Sequence, residues 1–183
     1  MSTSTNAGMN PGIDPNEINR RLTHIDSLAD EDARGKAFES LADYLFASLG
    51  CPTRRNITSP MHAEQIDLAA VHMGALNPLP TFFLVECKYW DKKVGSAAVG
   101  YFLNTCRSRN AKLCIILAKN GLSGISEQAT AAHSLAYGAS SDGIHLIVLT
   151  LDDITNVTNN QDLIDLLIRA WIQALASGGV GLS

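Results

Sequence analysis

The chain has 183 residues, 46% of them hydrophobic and 17% charged, with a formal net charge of −4 at pH 7. That composition suits one well-buried α/β or α+β domain and excludes a disordered chain, a coiled coil or a uniformly basic nucleic-acid coat. The charge is uneven, however: residues 54–119 hold nine Lys or Arg against four Asp or Glu, a local net of +5, which leaves room for a basic site on an acidic protein.

Residues 1–16, rich in Ser, Thr, Asn, Gly and Pro, read as a flexible tail without the apolar core of a signal peptide. No apolar run reaches the roughly 18 residues a membrane span needs. One domain is expected over 17–176, with 177–183 a flexible end. A helix is expected over 34–49, where Ala37, Phe38, Leu41, Ala42, Leu45, Phe46 and Leu49 recur at helical spacing and Gly50 with Pro52 stops it. Strands follow near 53–58, 64–72 and 81–89, the last two joined by the Gly/Pro-marked turn Met73–Pro80. A helix over 95–109 leads to strand 112–118, apolar throughout as a strand covered on both faces is. Helix 124–137, strand 144–150 and an amphipathic helix over 160–176 complete an α/β fold, a mixed sheet with helices on both faces. Cys51, Cys87, Cys106 and Cys114 lack CxxC or His-x-His company and read as reduced core thiols of a cytoplasmic protein, not zinc ligands.

The informative segment is Phe82-Phe83-Leu84-Val85-Glu86-Cys87-Lys88. Apolar strands exclude unpaired charges, yet this one ends on Glu86 and Lys88, two residues apart and so on one face. The preceding strand carries Asp67. If Met73–Pro80 is a symmetric turn, antiparallel partners have numbers summing to 153, and Asp67 stands opposite Glu86, with Cβ atoms roughly 5 Å apart. Two such carboxylates repel, and a divalent cation between them removes the penalty; hard oxygen ligands suit Mg2+, with Mn2+ as substitute. Lys88 beside them can orient a water and offset charge on an attacked phosphate. Glu39, on the border of the first helix's apolar stripe, is positioned for a second metal or an outer-shell water.

Gly35-Lys36-Ala37-Phe38-Glu39, then Ile66-Asp67-Leu68, then Val85-Glu86-Cys87-Lys88 resemble the PD-(D/E)xK restriction-endonuclease-like superfamily, and most nearly its Mrr-type catalytic domains. The resemblance spans residues 34–155. It implies a restriction-endonuclease-like core in which Asp67 and Glu86 bind metal with help from the Cys87 carbonyl, Lys88 positions the nucleophilic water, and Glu39 is the acid of the first helix. Ile66 stands where a proline is nominal, and Asn104 is the one amide that helix 95–109 offers in place of a glutamine common after the lysine.

Arg54, Arg55, Lys92, Lys93, Arg107 and Arg109 are candidates to follow a phosphate backbone, and Tyr89 and Trp90 to stack on a base or pack at the rim. His62 and His72 read as structural. Gly35-Lys36 lacks the upstream glycine of a P-loop, and no G-x-S-x-G elbow occurs. The expected activity is metal-dependent endonucleolytic hydrolysis of nucleic acid, double-stranded DNA before RNA. With no separate recognition domain in view, the expectation includes a homodimer or a targeting protein partner, and a role in defence against foreign DNA. The contrasting reading is a non-catalytic nuclease-fold binding or assembly subunit.

Overall fold

A computed structural model describes residues 12–58, 65–123 and 127–182. Two helices come first, α1 (Pro15–Ser27) and α2 (Glu31–Ser48), then an antiparallel meander of β1 (Thr53–Thr58), β2 (Gln65–Val71) and β3 (Phe82–Lys88). The chain then alternates through α3 (Ser96–Ser108), β4 (Leu113–Ala118), α4 (Glu127–Ser141), β5 (His145–Thr150), α5 (Leu151–Thr155), α6 (Asn160–Ser177) and β6 (Val180–Leu182). The six strands form one sheet in sequence order, antiparallel through β3 and parallel from β3 to β6.

Each parallel step needs a crossover, and the crossovers set the layers. Side chains of α1, α2 and α6 share one core with Leu68, Phe83, Val85, Leu113 and Ile115. Those of α3 and α4 share a second with Leu84, Cys114, Ile116 and Leu146. Strand β4 feeds both cores alternately and is buried at every residue, the reason its sequence shows no polar face.

Two termini depart from expectation. The tail ends sooner: Asp14 caps α1, its carboxylate accepting the Asn16 N–H at 2.9 Å with Pro15 in the first turn, and Ile18, Leu22 and Ile25 are buried. At the other end residues 180–182 are the edge strand β6, paired with β5, rather than a flexible end. The expected helix start at 124–126 and His62 lie outside the described residues.

Strand β6 lies so close to α6 that a Cβ on Gly181 would stand 2.0 Å from the Ala170 carbonyl oxygen. Backbone cannot swing aside as a flexible side chain can, so Gly181→Ala must push β6 off the sheet or α6 off its seat. The variant should lose about 1–3 kcal/mol of stability, as overpacked cores do, seen as a lower melting temperature. Activity at low temperature should be unchanged, because β6 lies three strands from β3.

Candidate active site

The site forms where β2 and β3 part. Their ladder runs Val71↔Phe82, Ala70↔Phe83, Ala69↔Leu84 and Leu68↔Val85, the register expected from a symmetric turn. It stops one pair short of Asp67 and Glu86. Instead of pairing through its backbone, Asp67 accepts the Cys87 N–H on its Oδ2 at 2.8 Å. N–H and C=O of one strand residue leave on the same side, so the Cys87 carbonyl also points into this gap.

A kink causes the opening. Strands β1 and β2 pair Arg55↔Leu68 and Ile57↔Ile66, skipping Asn56 and Asp67, and Asn56 has φ 52°. Asn is among the few side chains that tolerate this left-handed conformation. Across the kink the faces exchange: Leu68 packs in the α2 core, whereas Ile66 and Ile57 pack in the α3 core. Asp67 sits at the crossing, released from the ladder.

Asp67, Glu86 and Glu39 are three of the few buried ionisable residues. Lys88 Nζ lies 2.5 Å from Glu86 Oε1. Glu39 faces Arg55 at 3.8 Å, too far for a hydrogen bond, and its Oε2 is buried without a hydrogen-bond partner. Burial raises Asp67 above the usual carboxylate range, while the Cys87 N–H and Lys88 pull it back in part. Burial, then Asp67, push Glu39 up against Arg55, Lys88 and Lys36. Burial and then the Asp67 charge push Glu86 up to about 7, with Lys88 opposing. For Lys88 burial favours the neutral amine, but the Glu86 and Asp67 charges outweigh it and its pKa rises.

These shifts set a pH dependence of stability. Between the ordinary 4.5 of Glu86 and its folded value of about 7, the folded state holds a proton that the unfolded chain has released. Stability therefore falls as pH rises through that window, and Asp67 and Glu39, shifted the same way, add to the fall. The melting temperature of the metal-free protein should decline from pH 5 to pH 7, and Glu86→Gln should remove most of the slope. A melting temperature that instead climbs over this range in wild type contradicts the assignment.

A cleft of about 820 Å³ opens over these groups. Its walls include Glu39, Gln65, Asp67, Cys87 and Lys88, with Glu31, Asp32 and Arg34 from the start of α2 and Tyr89, Trp90 and Lys92 from the segment after β3; Glu86 joins it through Lys88. Among the described residues no three His, Cys, Asp or Glu stand close enough to hold an ion together. The donor set fits magnesium, which keeps several waters and takes one or two carboxylates: Oδ1 of Asp67, the Glu86 carboxylate and the Cys87 carbonyl are all oxygens.

The basic candidates divide. Lys92 reaches the cleft, and Lys93 is exposed beside it. Arg54 is exposed, but Arg55, on the opposite face of β1, turns to α2 and donates to the Lys36 carbonyl at 3.2 Å. Arg107 and Arg109 are at the entry to β4, whereas Lys88 pairs with Ala118 at its exit, and Arg107 is engaged with Asp142 at 2.8 Å. The structure does not bring those two arginines to the cleft. His72 is buried and structural: its Nδ1 accepts the Gly74 N–H at 3.2 Å and its Nε2 meets the Leu79 carbonyl at 2.9 Å, closing the β2–β3 connection. Sequence reasoning missed what holds the segment after β3. The Asn120 amide donates to the Trp90 and Asp91 carbonyls, and Lys119 pairs with Asp91.

Residues 31–153 match the restriction endonuclease family Mrr_cat. The chain belongs to the Mrr-type restriction endonuclease catalytic family. Such a domain is a nuclease, and the Mrr-type match covers α2 through the start of α5, with every candidate site residue inside it. No curated protein matches the chain. The crystal structure of the protein of unknown function AF1548 is loosely similar, with a TM-score of 0.44 and 18% identity over 74% of this chain and 77% of that one. Among the described residues no helix is long and apolar enough to cross a membrane.

Proposed function

We propose that this Mrr-type domain is a magnesium-dependent endonuclease that hydrolyses phosphodiester bonds of DNA, with Asp67, Glu86 and Lys88 as its catalytic set. The observation that carries the reading is the conjunction at the β2–β3 opening: a carboxylate released from its ladder, a second one shifted to about 7, and a lysine at 2.5 Å from it. Asp67, Glu86 and the Cys87 carbonyl would hold the cation, with Glu39 behind them by way of a water. When bound, the cation supplies Lewis-acid polarisation of the phosphate and a more acidic water. Lys88 then exchanges its carboxylate partner for the attacked phosphate, orienting the water and balancing charge as it develops. Lys92 and Lys93 hold the flanking backbone. Action as a homodimer or with a targeting partner, in the cytoplasm and against foreign DNA, completes the proposal.

The test is incubation with plasmid DNA and with RNA, each in magnesium, manganese, calcium or EDTA. Magnesium and manganese should support cutting of DNA, and calcium, with its looser coordination shell, should bind and cut poorly. Full activity in EDTA overturns the metal assignment, and cleavage of RNA alone overturns the substrate.

A further inference from the structure

Trp90 is placed as few tryptophans are. It is 37% exposed, two residues beyond Lys88, on the wall of the cleft. At that exposure part of the indole's apolar surface stays in water, where burial would have stabilised it. Its backbone is nevertheless held firmly: the Trp90 carbonyl accepts from Asn120 Nδ2 at 2.9 Å, Val94 donates to the Gly121 carbonyl at 2.9 Å, and Lys119 Nζ meets Asp91 at 2.8 Å. Two ammonium groups attend the ring, Lys88 Nζ at 5.2 Å and Lys92 Nζ at 5.4 Å from its centroid. An exposed aromatic on an immobilised segment, flanked by cations, has the parts of a nucleotide subsite: a π-face for the base and ammonium groups for its phosphates.

We infer that Trp90 is a positioning residue that stacks on an unpaired base beside the scissile phosphate, so that the favoured substrate is single-stranded DNA or a duplex with a base out of its stack. The inference rests on the nuclease reading of the Lys88 site and deepens it. A phosphate held at Lys88 puts the adjoining base within one nucleotide of the ring, and in a fully paired duplex that base is stacked on its neighbours and cannot meet the indole. Removing a base-stacking aromatic weakens binding by roughly 10-fold or more.

The chain has two tryptophans, and Trp171 is nearly buried, at 7% exposure, against His145, so fluorescence changes on binding report chiefly Trp90. The full-length protein is titrated in EDTA with a short oligothymidylate, a fully paired duplex and the same duplex carrying one unpaired base. Plasmid and single-strand cleavage in magnesium are measured separately. The single strand and the unpaired-base duplex should quench the fluorescence and bind more tightly than the paired duplex. Binding by the variants, which lack the reporting indole, is read from the fluorescence anisotropy of dye-labelled oligonucleotides: Trp90→Ala should lose that preference, binding the single strand about 10-fold more weakly, while Trp90→Phe stays within about threefold of wild type because its ring still stacks. Absence of quenching overturns the inference, as does Trp90→Ala binding the single strand like wild type, or Trp90→Phe failing as badly as Trp90→Ala. Cleavage without quenching sinks the stacking role alone; quenching without cleavage sinks the nuclease reading and leaves the subsite.

Discussion

Lys88→Ala should cut DNA about 10²–10³-fold more slowly at saturating magnesium, with nucleic-acid affinity nearly intact. A group that balances charge arising only in the transition state lowers the rate when lost and leaves ground-state binding alone. The salt bridge to Glu86 adds a second consequence. In the metal-free protein Lys88 is that carboxylate's partner at 2.5 Å, so it competes with the cation. Removing it should leave magnesium affinity equal to or tighter than wild type, although the metal-free protein loses stability from an uncompensated buried charge. Single-turnover cleavage, calorimetric metal titration and thermal melts with and without magnesium measure the three effects. A wild-type rate in Lys88→Ala removes the residue from the chemistry; a normal rate combined with lost metal affinity would make it a ligand-positioning group instead.

Asp67 should give the opposite pattern. Asp67→Ala and Asp67→Asn are both expected to lose metal affinity and, with it, more than about 10²-fold in activity, since a site with two carboxylates cannot spare one. Their stabilities should differ. Asp67 carries a charge that raises Glu86, and its Oδ2 also satisfies the buried Cys87 N–H. Asparagine removes the repulsion and keeps an acceptor, so Asp67→Asn should melt higher than wild type in metal-free buffer. Alanine removes both and strands the N–H, a loss of about 1–3 kcal/mol. Normal metal binding by Asp67→Asn contradicts the proposed ligand set.

Much of this architecture was legible because it rests on local periodicity. Glu86 and Lys88 at the end of an apolar strand share a face whatever the rest of the chain does, and the turn between β2 and β3 sets a register that Leu68↔Val85 keeps. Helix α1 was missed although its signals are local: Asp14-Pro15 before Ile18, Leu22 and Ile25 is a capped amphipathic start, and the polar residues that precede it made the tail read through residue 16. Strand β6 was not legible. Its three residues carry no alternation of their own and become a strand because β5 offers an unpaired edge.

The sequence by itself determined the helix and strand periods, the pairing register, and the acid and lysine that end β3, since each follows from side-chain direction along a regular backbone. Tertiary structure alone decided how those groups are used. Arg54 and Arg55 are adjacent in sequence and strand alternation puts them on opposite faces; the packing of α2 against the sheet decided that Arg55 meets the helix and Arg54 the solvent. Arg107 and Arg109 share the basic segment with Lys92, but parallel pairing of β3 with β4 puts them at opposite ends of the strands. Charge counts along a chain carry no direction; the sheet supplies it, and with it the difference between a residue in the cleft and one across the domain.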